Sequence, residues 1–544
     1  MPLEVTIKNV DKAEIMPGTW TLMSVDVTKE VNKIPRARLV LFDGNFVKQE
    51  FPVSNDDFFQ PGQEIEISAK EKSLVNILLF KGVVTKHTFK ADNERSRLIV
   101  DLKDQAFKLT RQRKSAVHEK KDSDIIKKIV NTCSGVDPGT IEDTNVIHKE
   151  IVQYNCTDWD FILSRADVNG QWVIVNDGKL SCIIPKILGE VDYIFDHLAN
   201  NIYSFHMELD GSDQFASTKA SGWDIAKQKM SEPSEAKALE PALGNCKAKD
   251  TADKLGGELC SLIHPVPVDP AEAKAWADAK AAKNLGSMLK GSMRVDGEGY
   301  GNIEPGNSME IIKAGDRFTG KTFVSGVRHQ LTLGGWFADV QFGTHSDWFS
   351  ENDDIIAPPA AGLLPAVNGL HIGVVDTFKE DPDGHFRVKV KVPGIVSDKN
   401  SIWARLAMPD AGKKGGFFFR PEPEDEVVLG FLNDDPRHAV ILGSMYSSAK
   451  KSFSKFKVDK ANNIKGIKTK SGISIIIDDK EKKVEIKTPG PNTFRLSDKD
   501  KRISLIDQNM NVIKMDDKGI SLKSTKQIKI SGSPVIINGA EIKQ

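Results

Sequence analysis

Between Lys468 and Asn538 apolar residues come in pairs two apart: Ile473/Ile475, Val484/Ile486, Phe494/Leu496, Ile503/Leu505, Ile513/Met515, Ile520/Leu522, Ile528/Ile530 and Val535/Ile537. Two is the period of a strand, so each pair points to one face. Turn formers separate the pairs: Asp478-Asp479, Pro489-Gly490-Pro491-Asn492, Asp498, Asn509, Asp516-Asp517 and Gly519. First members of successive pairs lie 9 to 11 residues apart up to Ile513 and then 7 or 8, which predicts a repeat that tapers toward its C-terminal end. The pattern predicts very short strands, each with two inward apolar residues. Strands that short have too little pairing and burial to stand alone. Identical copies wrapped about one axis, stripes inward, bury the stripe and remove the sheet edges. The competing expectation is a C-terminal β-sandwich of hairpins, whose strands run five residues or more.

Charge sharpens this picture. The 544 residues carry a net charge of −1, yet residues 449–544 hold 22 Lys+Arg against 11 Asp+Glu, leaving −12 on the remainder. A multimer of this tail is a strongly positive shaft. Its first reading is a solvated outer face that resists aggregation; its second is attraction to an anionic partner. The length accommodates three or four domains. No apolar run reaches membrane-spanning length and the N-terminus has no apolar signal core. Five scattered cysteines without a C-x-x-C spacing then read as reduced thiols of a protein made in the cytoplasm.

Residues 1–110 alternate as strands at Glu4–Ile7, Arg38–Phe42, Glu64–Ser68, Asn76–Val84 and Arg97–Leu102. Ser123 is expected to cap a helix over Asp124–Cys133. Thr157-Asp158-Trp159-Asp160 reads as a capping box for a second helix that stops at Asn169-Gly170. Strands are expected at Gln171–Asn176 and Leu180–Pro185. Residues 222–300 are rich in Ala, Lys and Glu, and Asp269-Pro270 opens an Ala-rich helix there. Strands return from Ser308 to Phe342, and a Pro/Ala linker follows.

Candidate chemistry is sparse. Gly315-Asp-Arg-Phe-Thr-Gly320-Lys321-Thr322 matches the P-loop pattern, but the residues after it alternate like a strand, where a P-loop needs a helix. The motif is therefore expected in a hairpin loop. Gly297-Glu-Gly299-Tyr-Gly301 is expected to be a flexible loop, and Asp381-Pro-Asp-Gly384 a β-turn lacking the remaining ligands of a calcium site. His329 and His438 are read as structural, and Trp159, Trp172 and Trp336 as core or interface residues. No catalytic set, metal site or cofactor is expected, and no basic–aromatic pattern points to nucleic acid.

Residues 384–446 carry a long ordered combination: Gly384-His-Phe-Arg387-Val-Lys-Val, Trp403-Ala-Arg405, Gly412…Gly416, Pro421-Glu-Pro-Glu-Asp-Glu426-Val427-Val428-Leu-Gly-Phe431 and Asn433-Asp434-Asp435-Pro436-Arg437-His438…Gly443-Ser-Met-Tyr446. This resembles the OB-fold module of VgrG and phage baseplate central spike proteins. Lys470-Ser-Gly-Ile-Ser-Ile-Ile-Ile-Asp-Asp resembles the start of that family's trimeric β-helix. Asp158-Trp-Asp-Phe-Ile-Leu-Ser-Arg-Ala-Asp-Val-Asn-Gly170 and Phe323…His329…Gly335-Trp336 resemble its hub.

The resemblance implies a mainly β (β+α) chain. Residues 1–355 would form a hub of two barrel-like domains with the insert 222–300, 356–366 a linker, 367–446 an OB-fold collar, 447–466 a neck and 467–544 the β-helix spike and tip. It implies a homotrimeric, non-enzymatic spike of a contractile injection system: type VI secretion, a phage tail or an extracellular particle. The implied partners are a hexameric inner tube protein and baseplate components at the hub, a PAAR-like tip protein at the C-terminal end, effector cargo, and a target membrane touched in passing. Three hubs of two similar units each would match a six-fold tube. Such a protein would be incorporated into the particle and then released or driven into the target cell. Some relatives carry a lysozyme domain before the β-helix or an effector after it; neither is expected here. Pro534, Val535, Ile536, Ile537, Asn538 and Gly539 are therefore the expected tip-docking surface, an apolar end left uncovered by the terminal strands. The alternatives are a nucleotide-binding or cell-wall-degrading enzyme and a receptor-binding trimeric fibre.

Overall fold

A computed structural model describes residues 4–539 apart from 71–74, 93–94, 186–189, 197–201, 226, 238–243, 266, 358–359, 361–363, 394–400, 449–451, 453–455, 457–459 and 537. Parts of the expected insert, linker, neck and tip thus lie outside the described residues. The chain divides into two compact units, Met1–Ala357 and Pro358–Gln544.

In the first unit the expected strands form, and their alternation sets the core. Glu64–Lys70 buries every second residue, as does the second half of Leu22–Glu30. Two of its cores lie along one large sheet. Leu22–Glu30 pairs antiparallel with Gly320–Thr332, from Ser24 opposite Thr332 to Glu30 opposite Gly326. One core gathers around Phe59, Phe80, Leu39 and Leu98; the other gathers around Phe195, Met293, Val340 and Phe342.

A third core joins helices Asp122–Asn131 and Asp158–Val168 to the strands Trp172–Asn176, Lys179–Ile183 and Asp137–Ile141. Thr157 caps the second helix as expected: its hydroxyl accepts the Asp160 N–H at 3.0 Å. Gly170 closes that helix with φ of 68°, a left-handed position that glycine adopts without penalty. Ser123 is not a cap. The helix begins at Asp122, with Lys121 before it, and the Ser123 hydroxyl donates to Asp143 at 3.1 Å. The Ser123 N–H meets the Thr144 hydroxyl at 3.2 Å, so both polar groups of Ser123 are engaged 20 residues and more along the chain. In the insert, Asp269 caps helix Pro270–Met288 through the Ala271 N–H. That helix packs Ala273 and Ala277 onto Ala220 of the strand Ser217–Ser221, small residues allowing close approach.

The second unit holds a closed five-stranded barrel, in the order His371–Val375, Val388–Lys391, Ile402–Leu406, Ala439–Ser444, Glu426–Phe431 and back. Val390, Val427, Leu429 and Ala404 fill it. The Asp381 turn forms as expected, with Gly384 donating to the Asp381 carbonyl at 3.1 Å. Its carboxylate accepts the backbone N–H groups of His385 and Arg387 at 3.0 Å, and the Arg387 guanidinium holds its pKa far below the usual carboxylate range.

Beyond the barrel lies an antiparallel meander of seven strands: Ile464–Lys468, Ser474–Asp478, Lys483–Lys487, Thr493–Ser497, Arg502–Ile506, Val512–Asp516 and Gly519–Lys523. Each strand runs five residues, which corrects the expectation of very short strands. The polar residues flanking each apolar pair, such as Ser474 and Asp478, pair through their backbone as well. The first strand starts inside the stretch expected as neck. The expected taper is limited to the last turn, where Gly519, at φ of 106°, shortens the connection. Ile528/Ile530 and the described part of Val535/Ile537 form no strand within the chain; Pro534 lacks the N–H that a ladder needs.

Candidate assembly surfaces

The meander aligns its apolar residues into two continuous rows. One runs Ile477, Val484, Leu496, Ile503, Met515, Ile520; the other runs Ile475, Ile486, Phe494, Leu505, Ile513, Leu522, each residue opposite the next. Ten of the twelve remain at least 37% exposed, so the chain does not cover this face itself. A monomer would leave an apolar stripe spanning about 24 Å, five strand spacings, in water.

The opposite face is polar. Its central row is Ile476, Glu485, Arg495, Ser504, Lys514, Ser521. Glu485 is 3% exposed and accepts Arg495 Nε at 2.9 Å. Burial raises its pKa, but Lys487 and Arg495 outweigh that and hold it below the ordinary value. The two long sides of the ribbon also differ. The turns at 479–482 and 498–501 carry alternating Asp, Glu and Lys, linked by the pairs Lys465–Asp479 and Lys499–Glu481. Exposed pairs of this kind stabilise little. On the other side the turns at 488–492 and 507–511 interlock through amides, Gln508 N donating to Asn492 Oδ1 at 3.0 Å.

Of the expected tip residues, Val535 and Ile536 are 47% and 74% exposed, Pro534, Asn538 and Gly539 are exposed, and Ile537 lies outside the described residues. The stretch forms no strand pairing among the described residues.

The hub motifs resolve into structure. Gly315–Phe318 is a single helical turn, and Lys321 lies in the strand Gly320–Thr332 opposite Glu310. The helix that would hold a phosphate is not there. Gly297 is a tight turn rather than a flexible loop: a Cβ there would sit 2.1 Å from Trp336 Cδ1. Trp336 in turn donates Nε1 to His329 Nδ1 at 3.2 Å. His329 is fully buried; burial and the Lys29 charge push its pKa down to about 3. An unfolded histidine binds its proton near pH 6.5. Stability of this region should therefore be intact above pH 6.5 and fall as the pH drops toward about 3, by up to ~1.4 kcal/mol per unit. Hydrogen exchange of the Gly320–Thr332 amides across that range reads it, and His329→Phe should flatten the profile. His438 is exposed at the turn before Ala439–Ser444.

Trp159 and Trp336 are 6% and 2% exposed, and Trp172 meets Phe323 edge-on at 5.7 Å. Burial pushes the Cys182 thiol up to about 12, and all five cysteines are free thiols. Among the described residues no group of three or more His, Cys, Asp or Glu is placed to hold a metal. No helix there is long and apolar enough to cross a membrane.

Two features escaped the sequence. One is a buried cluster in which Asp122 accepts Arg165 Nε at 2.7 Å, Asn169 Nδ2 at 2.9 Å and contacts His148 Nε2 at 3.1 Å. Burial raises the Asp122 pKa, but Arg165, Asn169 and His148 outweigh it and hold it below the ordinary value. The other is a run of exposed aromatics on the barrel, Phe417, Phe418 and Phe419. Neither follows from a period; only the run of three Phe beside two Lys signalled the second.

Comparison with known proteins follows this layout. The Alg8 N-terminal domain family matches residues 3–332, the type VI secretion system/phage-baseplate injector OB domain matches 371–446, and the phage baseplate V C-terminal trimerisation domain matches 483–543. Solved structures with distant likeness include the 43 kDa tail protein of prophage MuSo2 from Shewanella oneidensis, 13% identical, covering 63% of this chain and 99% of that one with a TM-score of 0.47. A tail protein from Neisseria meningitidis MC58 is 13% identical, covering 66% and 100%, with a TM-score of 0.45. An E. coli type VI secretion component, described as similar to the T4 bacteriophage tail proteins gp27 and gp5, is 12% identical, covering 81% and 99%, with a TM-score of 0.42. The chain thus belongs to the family of the Alg8 N-terminal domain, which spans more than half of it, and carries behind that domain a type VI secretion system/phage-baseplate injector OB domain and a phage baseplate V C-terminal trimerisation domain that takes in the ribbon from Lys483 onward.

Proposed function

We propose that three copies wrap their ribbons about one axis into a closed β-prism, which pierces a target envelope and carries a separate tip protein. The uncovered apolar rows carry this reading: two rows of six in unbroken register, exposed in one chain and continuous over all strands from Ser474–Asp478 onward. Three such faces turned inward form a dry core without strand edges, while the polar face with its lysines turns outward. A prism of paired strands resists axial load because within each ribbon every strand but the first and the last is hydrogen-bonded on both sides.

The hub is the end that meets the tube and baseplate. The hub has two large cores on one sheet; on this reading each marks one of two like units, and six such units in a trimer reconcile a three-fold spike with a six-fold tube. The role is mechanical and non-catalytic, and the protein reaches its target as part of the particle. The residues Pro534–Gly539 dock the tip protein by presenting an apolar end.

Truncation after Ser531 should abolish capture of a purified conical PAAR-repeat protein while the native mass stays at three chains. Retained capture refutes the docking site. For the prism itself, loss of three-fold mass on changing the apolar rows is the test developed below.

A further inference from the structure

The barrel wall carries two apolar features that the ribbon does not explain. The first is the loop ending in Phe417, Phe418 and Phe419, which are 52%, 69% and 55% exposed. Its base is braced. Phe417 N donates to the Asp410 carbonyl at 2.9 Å, and Ala411 and Gly416 form a bridge across the loop. Arg420 stacks on Phe378, which is 41% exposed, with 3.7 Å from its guanidinium carbon to the ring centroid. At 150–250 Å² per aromatic side chain these four rings leave on the order of 400 Å² of apolar surface in water, the size at which a patch marks a contact.

The second is a notch. Leu370 and Leu442 are 68% and 52% exposed and flank Gly430. A Cβ on Gly430 would stand 3.6 Å from Leu442 Cδ1 and 3.9 Å from Leu370 Cδ2, so the two leucines wall a gap that glycine leaves open. Leu442 is the extra residue of a β-bulge: Val428 pairs with Gly443 and Leu429 with Ile441. Bulges re-aim a side chain, here out of the barrel.

A three-fold ring needs two different surfaces on each copy, one to give and one to receive, because its contacts are heterologous. The barrel has one protruding and one recessed apolar surface. The loop is also continuous with the ribbon: Lys470, in the turn after the first ribbon strand, pairs at 3.2 Å with Glu422, two residues beyond Arg420. We propose that the Phe417–Phe419 loop of one copy seats in the Leu370–Gly430–Leu442 notch of the next copy of this chain. This contact rests on the trimeric reading above and places a second ring of apolar contacts beside the prism.

The test uses the full chain with p-benzoylphenylalanine replacing Phe418. Ultraviolet light should give a two-chain band whose adduct maps to Leu370–Val375 or to 426–444. Gly430→Leu, which fills the notch, should cut the yield at least fivefold while the native mass stays at three chains. The same photo-residue replacing Leu333, which is 98% exposed on the hub, is the control and should give none. A three-chain particle with no two-chain band, an adduct elsewhere, or capture of Phe418 by anionic phospholipid vesicles instead overturns the contact. A one-chain mass overturns the trimeric reading and the contact with it.

Discussion

Replacing Leu505 with aspartate should convert the three-chain particle to single chains. Leu505 lies in the middle of the apolar rows, opposite Phe494 and Ile513, and is 50% exposed in one chain. In a closed prism three copies of this residue approach one axis. Three carboxylates there would be desolvated together and repel one another, each costing several kcal/mol before any apolar contact is lost. Lys523→Asp, on the polar face, introduces the same side chain and should leave the mass unchanged. Sedimentation or native mass measurement reads both. A Leu505→Asp protein that remains a trimer would show that the apolar rows are not the interface.

The second large effect lies in the hub. Asp122→Ala removes a carboxylate that is 1% exposed and leaves the half-buried Arg165 without its main partner. Breaking a buried pair from one side costs about 3–5 kcal/mol. Protection of the Asp158–Val168 amides against hydrogen exchange should fall by that amount, whereas Ser123→Ala should change it by under about 1 kcal/mol. The Asp122 pKa is held below its ordinary value. Its contribution is thus fully present above the ordinary carboxylate range and lost as pH falls through the folded value. Unchanged protection in Asp122→Ala would mean that Arg165 finds another partner, with Glu272 at 3.4 Å the nearest candidate.

What the sequence disclosed depended on whether the cause was local. The Thr157 cap and the Asp269-Pro270 helix start are set within four residues, and both stand where the sequence puts them. The ribbon's register was legible because a one-residue slip would move every apolar side chain to the other face. Its strand length was not, because the outer residues of each strand pair through backbone atoms that no side chain reports. The P-loop match failed for a readable reason, the strand-like alternation after Lys321. Ser123 and Gly297 were misread because their roles are set by distant partners, Asp143 and Thr144 in one case and Trp336 in the other. The aromatic loop of the barrel has no period, and only its geometry beside the Gly430 notch gives it meaning.

The most direct measurement is the native mass of the purified full-length chain. Chains of 60.0 kDa closing into a three-fold prism give about 180 kDa, three times the single-chain value. A mass of 60.0 kDa at micromolar concentration, with the apolar rows still in water, would contradict the account.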